Sequence, residues 1–149
     1  MGGWQINGIT SVYSGARLST TSDVNSGTDS RAGNEADATG LAANLSRGQR
    51  TPTRWFNTAA FADPPYTRYG NAGEGVVIGP GTINFDIALF KNFRISESSK
   101  LQFRVESFNG FNHVNLNNPN LNVSDKLHFG VISSAATARI IQLGLKFYY

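Results

Sequence analysis

Apolar and polar residues alternate in the second half of the chain, most regularly between positions 82 and 95. Apolar residues occupy nearly every odd position there, namely Ile83, Phe85, Ile87, Leu89, Phe93 and Ile95. Lys91 is the exception among the odd positions. A helix would scatter these residues around its circumference, whereas a strand directs all of them to one face. The pattern therefore predicts a strand over residues 83–95.

Two further alternating stretches predict partners for this strand. The first follows the polar turn 96–99 and has apolar residues at Leu101, Phe103 and Val105. The second is at the end of the chain and has apolar residues at Ile141, Leu143, Leu145, Phe147 and Tyr149. Pairing odd with odd positions across the turn brings Phe93 near Leu101 or Phe103 and leaves the apolar residues on one face. Frequent Ile, Val, Thr and Tyr near the start favour a fourth strand. The chain is predicted to be all-β, an antiparallel sheet with strands at about 4–13, 83–95, 101–108 and 140–149.

The segments between these strands lack the alternation. Residues 21–54 contain only Val24, Leu41 and Leu45 as large apolar residues, and seven Asn lie between 109 and 122. We therefore predict long polar loops over 21–81 and 109–137, within a single segment of residues 1–149. The stretch 21–54 is not expected to contribute to a core. A short helical turn is expected between Asn57 and Phe61.

Composition changes the interpretation of the sheet. Charged residues make up 15% of the chain, against about 25% in typical soluble domains. Residues 21–54 contain eight of the 23 formal charges, while one face of each predicted strand has almost none. That face is therefore expected to meet lipid or another chain. The residues predicted to face lipid or a partner are Ile83, Phe85, Ile87, Leu89, Phe93, Leu101, Phe103, Val105, Leu143, Leu145 and Phe147.

Strand length and loop distribution are those of an outer-membrane barrel. A tilted spanning strand needs about 9–11 residues, and such barrels have short turns at one end and long loops at the other. A soluble sheet with one wet face would give the same alternation. Lys91 favours that alternative, because a charge in lipid is costly unless it lies near an interface. The first residues lack the features of a signal peptide, so an export signal is expected outside this chain.

The last residues show a second feature of outer-membrane proteins. Tyr149 is preceded by Phe147, Gly144 and Gln142, in register with the alternation. These positions resemble the terminal β-signal by which the barrel-insertion machinery recognises its substrates. Gln142, Gly144, Phe147 and Tyr149 are therefore predicted to act as an insertion signal.

Several stretches in order resemble the C-terminal end of TonB-dependent outer-membrane receptors of the Oar-like type, which carry a carboxypeptidase-regulatory-like domain. They include Gly3-Trp4-Gln5-Ile6-Asn7-Gly8-Ile9, Trp55-Phe56-Asn57-Thr58-Ala59-Ala60-Phe61, Tyr69-Gly70-Asn71-Ala72-Gly73, Gly79-Pro80-Gly81, Asn84-Phe85-Asp86, Leu89-Phe90-Lys91-Asn92-Phe93, Leu101-Gln102-Phe103-Arg104-Val105-Glu106 and Phe108-Asn109-Gly110-Phe111-Asn112-His113. The resemblance implies a bacterial outer-membrane receptor with a barrel of about 22 strands, a plug domain and a periplasmic segment that contacts TonB.

Four strands cannot close even the smallest barrel of about eight. The chain is therefore expected to be part of a longer receptor, or to complete its sheet with other copies of itself. The expected partners are outer-membrane lipid, the rest of the barrel or other copies, and the insertion machinery. Nucleic acid is not expected, because the 13 basic residues are scattered.

The even positions of the predicted strands, on the face opposite the apolar residues, include charged side chains that are candidates for catalysis. Asp86 and Glu106 share this face with Arg104, and paired carboxylates serve glycosidases, although inward charges more often form ion pairs. His113 and His128 have no ligand spacing, and the chain has no Cys, so no metal or cofactor is expected.

The aromatic residues Trp55, Phe56, Tyr66 and Tyr69 are candidates for stacking on a ligand, with an interfacial girdle or loop packing as the alternative. The leading hypothesis is a non-enzymatic, C-terminal portion of a TonB-dependent transport protein. The alternatives are a self-assembling β-rich oligomer or fibre, and a small soluble hydrolase using Asp86 and Glu106.

Overall fold

The computed structural model describes residues 2–24 and 35–149. The chain divides into two compact units, which we call the sheet unit (Met1–Tyr13, Thr82–Asn115 and Ala136–Tyr149) and the loop unit (Ser14–Gly81 and Leu116–Ala135). The sequence predicts one segment with long loops, and the structure differs because those loops form a core of their own. No helix in the described ranges is long and apolar enough to cross a membrane.

The described residues are all-β apart from two 3₁₀ turns, Arg47–Gln49 and Thr58–Ala60, and the second of these confirms the turn expected between Asn57 and Phe61. In chain order the strands are β1 (Trp4–Tyr13), β2 (Arg17–Leu18), β3 (Asp37–Ala38), β4 (Phe61–Ala62), β5 (Val77–Ile78), β6 (Thr82–Arg94), β7 (Lys100–Phe108) and β8 (Ile140–Tyr148). The four long strands agree with the predicted bounds to within one residue.

The long strands form one antiparallel sheet in the order β1-β6-β7-β8. Phe93 pairs with Leu101, which confirms one of the two predicted registers. Since paired residues on neighbouring strands point to the same face, the register separates two faces.

We call the first the apolar face: Trp4, Ile6, Gly8, Thr10, Val12, Ile83, Phe85, Ile87, Leu89, Lys91, Phe93, Leu101, Phe103, Val105, Ser107, Ile141, Leu143, Leu145 and Phe147. The alternate residues of the same strands form the polar face.

Asparagine side chains shape the backbone at the end of the sheet opposite the 96–99 turn. Asn109 has a positive φ of 51°, a conformation that Asn tolerates better than most residues. Its Oδ1 accepts from the His113 N–H at 2.9 Å, and its Nδ2 donates to the His113 carbonyl at 2.9 Å. Asn115 bonds both the N–H and the carbonyl of Ile83, so its side chain acts as a short strand partner at the start of β6.

The loop unit is built around three phenylalanine rings. Phe56, Phe61 and Phe129 contact one another edge to face, with centroids 5.1 to 6.1 Å apart. Short antiparallel pairs, β2 with β5 and β3 with β4, surround this cluster. The expectation that 21–54 adds nothing to a core is wrong at Ala36, which is buried against the cluster. Gly70 lets the chain pass so close that a Cβ there would overlap the Ala36 carbonyl.

Candidate membrane-facing surface

The side chains of the apolar face are exposed or half-buried, and the Phe85 ring contacts the Phe111 ring of the same unit. Among the described residues, every buried apolar side chain belongs to the loop unit. On the sheet, Ile6 is 75% exposed and Leu145 is 69% exposed. Contiguous apolar surfaces of this kind mark contacts with membranes or other chains.

The length of the apolar face matches the apolar band of a barrel. Its residues on β6 run from Ile83 to Phe93, ten residues apart. At about 3.3 Å per residue and a tilt of about 40°, this distance crosses about 25 Å along the membrane normal, which is the height of the apolar band in outer-membrane barrels.

Lys91 lies near the margin of this face. It stands two residues from Phe93 and close to the 96–99 turn. Its Nζ donates to the Gly2 carbonyl at 2.9 Å and lies 4.7 Å from the centroid of the Trp4 ring. The sequence places Lys91 on the apolar face, but only the register of β1 with β6 brings Trp4 beside it.

The polar face carries a network of hydrogen bonds. Arg104 forms an ion pair with Glu106 at 2.7 Å and lies over the Phe90 ring at 4.9 Å. Gln102 donates to Asn92 at 2.9 Å on the same face. Polar groups of this kind suit the water-filled interior of a barrel.

The two carboxylates proposed as a catalytic pair have separate partners. Asp86 accepts from the Asn84 side chain at 2.9 Å and from the Asn109 N–H at 3.0 Å. Glu106 is opposite Ala88, two residues from Asp86 along β6, and is held by Arg104. This arrangement favours the interpretation as a structural network.

The four residues predicted as an insertion signal divide between the two faces. Gln142 lies opposite Glu106 and Gly144 opposite Arg104, both on the polar face. Phe147 lies on the apolar face, and its ring stacks on Tyr149 with centroids 6.2 Å apart. The outer edge of β8 has no strand partner within the described residues. Recognition of these residues by insertion machinery stays a prediction.

The candidate stacking residues occupy different environments in the loop unit, and one of them needs correction. Phe56 is 0% exposed, so its ring faces are taken by the core and cannot receive a ligand. Trp55 is half-buried, donates from its indole N–H to the Ile78 carbonyl and lies under the Arg50 guanidinium. Tyr66 and Tyr69 are 75% and 42% exposed and keep accessible rings.

Asp63 joins three distant segments of the loop unit. Its carboxylate accepts hydrogen bonds from Lys126 at 2.6 Å, Ser124 at 2.5 Å and Ser22 at 2.7 Å. The hydrogen bond from Lys126, together with those from the two serines, lowers the pKa of Asp63 from 3.8 to about 2. No motif or spacing in the sequence links these positions, so sequence reasoning missed this network.

Other charged groups of the loop unit are also paired. Arg68 makes two hydrogen bonds to Asp37, at 2.7 and 2.6 Å, and this pairing raises the pKa of Arg68. Burial opposes ionisation of Asp125, but hydrogen bonds from His128 and Asn120 lower its pKa overall. Across residues 2–24 and 35–149 no three His, Asp or Glu side chains form a cluster suited to a metal ion.

Comparison with known proteins gives one match. A family model for an outer membrane beta barrel domain matches residues 1–142. No curated protein matches the chain. No solved structure matches it.

Proposed function

This chain belongs to the outer membrane beta barrel domain family, and we propose that it serves in a TonB-dependent, receptor-like uptake protein as the C-terminal portion of the barrel wall. Its antiparallel sheet is part of an outer-membrane β-barrel, and its location is the bacterial outer membrane. The observation that carries the proposal is the exposed apolar face, whose length matches the apolar band of a barrel.

Two of the stretches that resemble TonB-dependent receptors contact each other in the sheet unit. The Asn109 N–H donates to Asp86, and the Gly110 N–H donates to the Phe85 carbonyl at 2.6 Å. The Phe85 and Phe111 rings meet edge to face with centroids 5.0 Å apart. Through these contacts the two motifs together hold β6 against the segment that follows β7. This shared role supports the resemblance.

The proposed orientation places the apolar face against lipid and the polar face toward the barrel interior. The short 96–99 turn would lie on the periplasmic side, because outer-membrane barrels have short periplasmic turns and longer extracellular loops. The long connections from β1 to β6 and from β7 to β8 would then begin and end on the extracellular side. We propose that the protein transports and does not catalyse, and that its partners are lipid, neighbouring barrel strands and the insertion machinery.

The size of the native protein tests the receptor proposal. An antibody raised against the loop unit should detect, in outer-membrane fractions of the source organism, a polypeptide several times larger than 16.1 kDa. Peptide mapping of that band should recover a plug domain. A denatured band at 16.1 kDa would contradict the receptor proposal.

A second candidate function is a self-assembled barrel or fibre. β1 and β8 form the two edges of an antiparallel four-stranded sheet, so they run in opposite directions. The β8 edge of one copy could therefore pair with the β1 edge of another and continue both faces. Detergent-resistant multiples of 16.1 kDa that dissociate on boiling would support this candidate.

A further inference from the structure

Lys91 carries a positive charge on the otherwise uncharged apolar face. Among the described residues of the apolar face it is the single charged side chain, and none of them is acidic. A charge in this position is costly unless it reaches the interface or finds a partner. The apolar face itself supplies no carboxylate, so an anionic partner for Lys91 would come from outside this face.

The ammonium of Lys91 is held by contacts with neighbouring residues that leave some of its N–H donors unused. It lies between the rings of Trp4 and Phe93, with its Nζ 4.7 and 5.6 Å from their centroids. Of its three N–H donors, one is used by the Gly2 carbonyl. Lys91 is half-buried. A ligand that accepts charge-assisted hydrogen bonds can therefore reach the remaining donors.

The position of Lys91 along the membrane normal suits contact with a lipid headgroup. Phe93 lies at the end of the apolar face, and Lys91 is two residues further in. This separation is about 5 Å along the membrane normal, within reach of a long side chain that extends toward the interface. Trp4, directly opposite Lys91 on β1, is the residue type enriched at that level of the membrane.

We propose that Lys91 and Trp4 bind the phosphate headgroup of an anionic phospholipid, such as phosphatidylglycerol, in the leaflet next to the 96–99 turn. The Lys91 ammonium contacts the phosphate, and the indole of Trp4 packs against the glycerol and the first acyl carbons. An anionic lipid is preferred over a zwitterionic one because its headgroup keeps a net negative charge beside the lysine. This inference rests on the proposed orientation of the apolar face toward lipid.

Quenching of Trp4 fluorescence by brominated lipids tests the proposal. The full chain with Trp55→Phe, which leaves Trp4 as the reporter, is reconstituted into phosphatidylcholine vesicles. These vesicles contain a small share of brominated phosphatidylglycerol or, at equal bromine content, brominated phosphatidylcholine. Apparent association of Trp4 with the anionic lipid should be about five-fold stronger, the effect of one lysine near an anionic surface.

Variants at two lysines separate a specific contact from general attraction. Lys91→Gln should make quenching by the two lipids equal, and Lys91→Arg should keep the preference. Lys146→Gln is the matched control, because Lys146 also lies over an aromatic ring, that of Tyr148 at 4.8 Å, but on the polar face. It should leave the preference unchanged. The same comparison in the chain that retains Trp55 removes any dependence on the Trp55→Phe change.

The outcomes distinguish this inference from the orientation on which it rests. Equal quenching by both lipids with Lys91 present would overturn the headgroup site and leave the orientation intact. Loss of the preference in Lys146→Gln as well would also overturn the site. No quenching by either lipid would overturn the orientation of the apolar face itself.

Discussion

The sheet unit and the loop unit are stabilised in opposite ways. The loop unit has short strands and turns, yet it contains every buried apolar side chain among the described residues. The sheet unit has strands of nine to thirteen residues, yet none of its described apolar side chains is fully buried. Regular secondary structure and a core are therefore separate properties here. The loop unit is stabilised by its own interior, whereas the sheet needs a lipid or protein surface.

The largest expected effect is the loss of a core ring from the loop unit. Phe56→Ala should lower its free energy of unfolding by about 3–5 kcal/mol, since it removes a buried ring and leaves a cavity. Denaturant unfolding followed by Trp55 fluorescence measures this. Tyr66→Ala, at an exposed ring, is the control and should change stability by less than about 0.5 kcal/mol. Equal effects of the two variants would show that the Phe56 cluster is not a core.

A charge in the middle of the apolar face should affect only the sheet. Leu143 pairs with Val105 near the centre of this face, so Leu143→Arg should weaken membrane insertion by about 2–4 kcal/mol. Gln142→Arg, one residue away on the polar face, should have much less effect. Unfolding of the chain from lipid vesicles in guanidinium compares the two variants. If both tolerate Arg equally, the two faces do not differ in their surroundings.

Acid should weaken the loop unit through Asp63. Its pKa is about 2, below the usual 3.8, so the ionised carboxylate stabilises the fold above the unfolded-state pKa, and this contribution is lost as pH falls from about 5 through 2. The loss should be on the order of 1 kcal/mol, because the partly exposed group is screened by solvent. Asp63→Asn should flatten this part of the pH profile of unfolding. An unchanged profile would show that the network does not favour the ionised form.

The smallest effect is expected at Gly144. A Cβ there would meet the Arg104 side chain at 3.7 Å, an ordinary contact, so Gly144→Ala should change stability by less than about 0.5 kcal/mol. The rate of insertion by the cellular machinery is a separate measurement. A slower rate at unchanged stability would support the role of Gly144 in the insertion signal.

The sheet was predictable because its determinants are local. Alternation over 83–95 and the turn 96–99 are sufficient to predict β6 and β7, and they limit the partner of Phe93 to Leu101 or Phe103, of which the structure has Leu101. The loop unit was not predictable in the same way. Phe61 and Phe129 lie in separate segments with no common period, and their contact depends on how the chain folds back.

The candidate membrane-facing surface was likewise predictable only in part. The composition of the apolar face follows from the alternation in the sequence. The position of Trp4 beside Lys91 required the register of β1 with β6, which no turn between neighbouring strands fixes. The burial of Phe56 also could not be predicted from the sequence, because an aromatic residue in a polar segment is equally compatible with a ligand site and with a core.

The most direct test of the central claim uses the absence of cysteine in the chain. A spin label is attached to a single Cys placed in turn at each position from Ile141 to Phe147 in membrane-inserted protein. Collisions with oxygen, which concentrates in lipid, and with a water-soluble nickel chelate are then compared. Oxygen collisions should peak at Ile141, Leu143, Leu145 and Phe147, and nickel collisions at the residues between them. Equal accessibility at all positions, or the opposite alternation, would contradict a lipid-facing apolar surface.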